Sequence, residues 1–101
     1  MSYRLIFTPD ATRSWNKLGA TVRSQFEKVL RRRVENPHVP AAKLRARQQT
    51  YKIKLRGAGY RLVYEVHDEV LTVLVIGIGR RDEGYEQFLA IGRQSLSGDE
   101  D

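Results

Sequence analysis

The residues best suited to chemistry are cations set two apart. Lys52 and Lys54 stand in Tyr51-Lys52-Ile53-Lys54-Leu55-Arg56, where basic and apolar residues alternate, and Arg61 stands in a second alternating stretch, Tyr60-Arg61-Leu62-Val63-Tyr64. Three cations on one surface can hold a phosphate, stabilise the charge that builds on it in a displacement, and depress one another's proton affinity. A lysine shifted in that way can act as base on a ribose 2′-hydroxyl. Attack of that hydroxyl on the adjacent phosphate cuts RNA with no metal and no cofactor, leaves a 2′,3′-cyclic phosphate, and spares DNA.

Such a surface needs strands. From Thr50 onward the apolar period is two, which predicts strands over 51–56, 60–67 and 71–78, the first two turning at Gly57-Ala58-Gly59 and the last two joined through His67-Asp68-Glu69. Tyr51, Ile53 and Leu55 face one way, and Lys52, Lys54 and Arg56 the other. For the row Tyr60, Leu62, Tyr64 and Val66 to share the core with them, an odd position must oppose an even one. A four-residue loop over 56–59 sets Lys54 opposite Arg61, and a two-residue turn at 58 and 59 sets Lys54 opposite Val63; either collects Lys52, Lys54 and Arg61 on one outer face. Like charges across a hairpin are unfavourable, so stability does not account for the cluster, whereas an anion lying over it does. Gly77 and Gly79 loosen the end of the third strand so that Arg81 can reach the same face, and Tyr85 beyond it, at the start of a last short helix, could stack on a base or protonate a leaving oxygen.

The N-terminal half supplies the packing partners. Residues 3–7 read as a short strand, and Thr8-Pro9-Asp10 reads as a helix start, with Thr8 as N-cap, proline in the first turn and an acid by the positive end of the dipole. Ala11, Trp15 and Leu18 recur at helical spacing, and Gly19 is expected to end that helix. A second helix over 21–35 puts Val22, Phe26, Val29 and Leu30 on one face, and Asn36-Pro37 stops it. Its other faces carry Arg23, Lys28, Arg31 and Arg32, a solvated face or a patch for nucleic-acid backbone, while Arg33 falls on the apolar side, where it can snorkel past the core. The order β-α-α-β-β-β(-α) predicts an α+β domain over residues 1–93, an antiparallel sheet packed against two helices. Residues 94–101 form a polar, acidic tail expected to be disordered.

Composition narrows the alternatives. A chain of 101 residues holds one modest core. Eighteen Lys and Arg face twelve acids, for a formal charge of +6, and Asp99, Glu100 and Asp101 place three of those acids at the very end. A basic body of this size suits a polyanion, nucleic acid above all. Without cysteine there are no disulfides, thiolate metal sites or thiol nucleophiles. No signal-peptide pattern and no membrane-length apolar run occurs, so a soluble cytoplasmic protein is expected. His38 and His67 make no local metal motif, no glycine group makes a phosphate loop, and neither Ser14 nor Ser24 has the context of a catalytic nucleophile.

Trp15-x-Lys17-Leu18-Gly19, Asn36-Pro37, Lys43-Leu44-Arg45, Tyr51-Lys52-Ile53-Lys54-Leu55-Arg56, Gly59-Tyr60-Arg61-Leu62-Val63-Tyr64 and Gly79-Arg80-Arg81 closely resemble the RelE toxins of bacterial toxin–antitoxin systems. The resemblance runs to about residue 93, and its strand strings are the specific part. It implies an endoribonuclease that enters the A site of the 70S ribosome and cuts the exposed codon of messenger RNA. It implies Lys52 and Lys54 near the attacking hydroxyl, Arg61 on the scissile phosphate, Arg81 near the leaving group, Arg45 on RNA backbone, and Tyr85 as the functional tyrosine. The segment between Arg81 and Tyr85 is shorter than in the family pattern, and the acidic tail is not a family feature. The resemblance further implies a RelB-like antitoxin that wraps the toxin with a helical, partly acidic segment and carries the complex to operator DNA. Two other expectations share the fold: a ParE-like toxin that inhibits gyrase, which needs no such cation cluster, and a non-catalytic RNA- or ribosome-binding co-repressor.

Overall fold

The computed structural model describes residues 2–45 and 47–80; Arg81, Tyr85, the expected last helix and the acidic tail lie outside them. The order is β1 (Arg4–Phe7), α1 (Pro9–Asn16), α2 (Ala20–Arg33), β2 (Thr50–Leu55), β3 (Tyr60–His67) and β4 (Thr72–Arg80), with single 3₁₀ turns at Pro40–Ala42 and Asp68–Val70.

Helix α1 starts where the sequence puts it: Thr8, in extended conformation, accepts a hydrogen bond from Ala11 N at 3.1 Å, and Pro9 needs no partner in the first turn. Gly19 departs from expectation. It does not end α1, whose C-cap is Lys17, but opens α2 as N-cap at φ −69°. Glycine is tolerated at that position, and no left-handed residue is needed there. Arg23 Nη1 donates to Leu18 O at 3.0 Å and so ties the two helices across the short joint. Phe26 and Leu30 are the buried residues of α2, each stabilising the fold by roughly 1.5–3 kcal/mol.

Strand order in the sheet is β1-β4-β3-β2. The two hairpins are antiparallel as expected, but β1 lies parallel to β4, so the sheet is mixed. Tight turns impose antiparallel pairing on β2, β3 and β4, whereas β1 is separated from them by both helices, a crossover long enough for parallel pairing. One face packs on the helices through Tyr51 and Ile53 of β2, Leu62, Tyr64 and Val66 of β3, and Val73, Val75 and Ile78 of β4. Strand β4 slips register once, which carries its core row from Val73 and Val75 to Ile78. Val63 pairs with Gly77 and Tyr64 with Val75, leaving Ile76 over as a bulge. Ile76 then packs on the outer face against Leu44 and Val63. Among the described residues no helix is long and apolar enough to cross a membrane.

Candidate active site

The β2–β3 hairpin settles the two possible registers. Lys54 pairs with Arg61 and Leu55 with Tyr60, around the four-residue loop 56–59, which Gly59 N closes on Leu55 O at 2.8 Å. Gly59 sits at φ +74°, a left-handed conformation that a side chain would strain. Lys52, opposite Val63, joins Lys54 and Arg61 on the outer face. Lys54 is exposed, and Lys52 and Arg61 are half-buried. On the other side Arg61 pairs with Gly79, and Val63 with Gly77. Neither glycine brings a Cβ to this face, so the surface beside Arg61 stays shallow. Arg80 alternates away and lies 5.7 Å from the centroid of the Tyr60 ring.

The strand carrying the lysines is fixed from behind. Arg33 does not simply snorkel: its Nη1 donates to Tyr64 Oη at 2.8 Å and to Lys52 O at 3.3 Å. Tyr64 Oη in turn donates to Pro37 O at 2.9 Å. Burial pushes the Tyr64 hydroxyl above its ordinary pKa while Arg33 beside it pulls the other way. The helix end, the following loop and β2 are thereby pinned at one point.

The segment after Pro40 contributes what sequence reasoning missed. Lys43 bridges to Tyr51, and Leu44 N donates to Thr50 O at 2.8 Å, which lays Lys43 and Leu44 along the start of β2. Lys43, Arg45 and Arg47 line an open cleft there with Pro40, Leu44 and Gln48. Arg47 is only 3% exposed, its Nη2 is 3.4 Å from Glu65 Oε2, and its Nε is buried without a hydrogen-bond partner. No periodicity over 37–49 announces this, and only the string Lys43-Leu44-Arg45 flagged the segment.

The helix cations separate by position. Lys28 and Arg32 line a cleft with Lys54 and Arg56 at the far end of β2. Arg31 lines another groove, with Glu27, Trp15 and Phe7, and Arg23 is held on Leu18 O. The outer face thus brings together Lys52, Lys54 and Arg61, with Arg45 beyond one end of β2 and Lys28, Arg32 and Arg56 at the other.

Both histidines lie against acids. His67 Nε2 lies 2.9 Å from Glu65 Oε1. His38 bridges Tyr51 Oη at 3.1 Å and Asp68 Oδ1 at 2.9 Å, and Tyr3 Oη donates to the same Asp68 oxygen at 2.7 Å. The hydrogen bonds from Tyr3 and His38 hold the Asp68 carboxyl below its usual range, and the same contact raises the Tyr3 hydroxyl.

With this fold and this basic strand face, the chain belongs to the RelE/ParE family of toxins: residues 5–85 match the family described as ParE toxin of type II toxin-antitoxin system, parDE. Its individual relatives point to the RelE side of that family. The mRNA interferase toxin RelE of Escherichia coli K12 is 50% identical over 82 residues, 81% of this chain and 86% of the relative. The isolated E. coli RelE toxin superposes with a TM-score of 0.79 at 44% identity, covering 92% of this chain and 99% of that one. A chain of the intact E. coli RelBE toxin–antitoxin complex gives 0.77 at 49% identity, over 78% of this chain and 96% of its own length.

Proposed function

We propose that the chain is an endoribonuclease toxin that cuts messenger RNA in the ribosomal A site of the cytoplasmic 70S ribosome, by attack of a ribose 2′-hydroxyl on the adjacent phosphate. The observation that carries this reading is the pairing of Lys54 with Arg61 on a face that also holds Lys52. One of the two lysines takes the 2′-hydroxyl proton as the O2′–P bond forms. Arg61 steadies the charge gathering on the phosphate. The P–O5′ bond then breaks toward Arg81, with Tyr85 giving the leaving oxygen its proton or stacking on a base. The products are a 2′,3′-cyclic phosphate and a 5′-hydroxyl. Every step uses side chains of this chain, without a metal.

The kinship with RelE supports the enzyme reading over gyrase inhibition, although the family description names ParE. The E. coli relative is found in a complex with an antitoxin, which supports a RelB-like partner for this chain; operator DNA would be reached only through that partner.

Primer extension on a defined message, with and without programmed ribosomes, tests the proposal. Cuts confined to the A-site codon, requiring ribosomes and lost in Arg81→Ala, are expected. A wild-type protein that arrests growth and cuts nothing would turn the assignment to gyrase.

A further inference from the structure

Four cations converge on one cleft at the tip of the β2–β3 hairpin. It encloses about 670 Å³ between α2 and the turn, taking Lys28 and Arg32 from the helix and Lys54 and Arg56 from the hairpin. All four are exposed, and none of the described residues lining the cleft is acidic. The groove on the other flank of α2 is different, because there Arg31 is matched by Glu27 one turn away. Concentrated positive charge is therefore a property of this cleft and not of the helix as a whole. Lys28, Arg32 and Arg56 bring like charge together at this cleft, and an anion bound there would offset their repulsion.

The shape favours a chain of phosphates over a single ion. Val29 and Leu55 line the cleft beside the cations, and its lip is Gly57 and Ala58; a Cβ built on Gly57 would meet nothing within 4 Å. A bulky backbone can therefore approach closely. Lys54 belongs both to this cleft and to the row with Arg61, so a strand engaged at the row continues into the cleft without a gap.

We propose that this cleft is a second phosphodiester subsite, in which Lys28, Arg32 and Arg56 hold the backbone of the same RNA strand that is cut, a short distance from the scissile phosphate. The proposal rests on the reading of RNA as substrate. It gives two helix cations, Lys28 and Arg32, a substrate-binding role.

The test is fluorescence anisotropy with a labelled single-stranded RNA oligonucleotide across a salt series. Lys28→Ala/Arg32→Ala should weaken binding about tenfold and flatten the log–log salt slope by about 1.4, as expected for two lost phosphate contacts on a single strand. Arg13→Ala/Lys17→Ala removes the same charge from exposed positions on and just after α1 and should change neither. Equal losses in both double variants would overturn the proposal by reducing the effect to net charge. So would a cleft variant that binds RNA normally but loses affinity for polyglutamate, which would assign the cleft to an acidic protein. A photo-crosslinking side chain at Ala58, on ribosomes whose message carries a 2′-deoxyribose at the cut, should label the message; labelling of ribosomal RNA alone would also overturn it. Binding is read without cleavage, so the two readings fail separately. A wild type that cuts, with an unchanged slope in the cleft variant, sinks only the subsite, and a wild type that binds through the cleft but never cuts sinks only the enzyme.

Discussion

The two ends of the β2–β3 hairpin treat charge in opposite ways. At the end where β3 finishes, Asp68 accepts from Tyr3 and sits against His38, which reaches on to Tyr51, so an acid, an imidazole and two phenols satisfy one another. At the tip, the register sets Lys54 directly across from Arg61, with Arg56 and two helix cations around the same cleft. The first arrangement lowers the energy of the folded chain. The second sets like charges across a hairpin, a pairing unfavourable in itself. An anion bound over it would offset that repulsion. On the proposed function the tip is the working end, so substitutions should cost stability at the first end and activity at the second.

The sharpest way to break that contrast is Arg61→Ala. Cleavage on programmed ribosomes should fall about 100-fold, the usual effect of removing one donor from a charge-stabilising site. Stability to urea should move by less than about 1 kcal/mol, because the cross-strand repulsion from Lys54 is relieved at the same time. A large loss of stability with cleavage intact would make Arg61 a packing residue and remove the working end of the comparison.

Between the two ends lies the Arg33–Tyr64–Pro37 chain of hydrogen bonds, and Tyr64→Phe measures it. The substitution leaves the half-buried Arg33 guanidinium and the Pro37 carbonyl each short of a partner, so a loss of about 1–3 kcal/mol in urea unfolding is expected. Cleavage should stay within about twofold, since Arg33 still holds the Lys52 carbonyl. If cleavage falls while stability holds, the back of β2 tunes the lysines and the division between the ends is less clean.

The working end was far more legible in the sequence than the structural one. Alternation in 51–56 and 60–66 is a local signal, and it narrowed the hairpin to two registers that both gather Lys52, Lys54 and Arg61 on one face. The structure only had to choose the four-residue loop. The structural end joins Tyr3, His38, Tyr51 and Asp68, separated by up to 65 residues, and a single sequence carries no periodic trace of such a contact. Arg33 stood out on the apolar side of its helix, but its partners Tyr64 and Lys52 are 31 and 19 residues away. The parallel pairing of β1 escaped for the same reason: the joint that decides it is two helices long, and no turn residue encodes it. Leu44 and Arg47 were hidden in an aperiodic segment, and their partners are distant in sequence: Val63 and Ile76 for Leu44, Glu65 for Arg47.

The smallest effect expected is a pH dependence at the structural end. The hydrogen bonds from Tyr3 and His38 hold the folded Asp68 carboxyl below the value it has in the unfolded chain. A group depressed in this direction contributes stability that is present above its unfolded pKa and is lost as pH falls through the folded one. Asp68→Asn should therefore melt below wild type at about pH 7, and the gap should close in acid as the wild-type carboxyl is itself protonated. Cleavage measured near neutral pH should not change, because Asp68 lies at the opposite end of β3 from Lys54 and Arg61. A melting difference that stays constant down to the acid limit would mean that Asp68 acts through shape and not charge. The self-satisfied end would then be held by its two tyrosines and the imidazole, and the contrast with the tip would no longer be one of electrostatics.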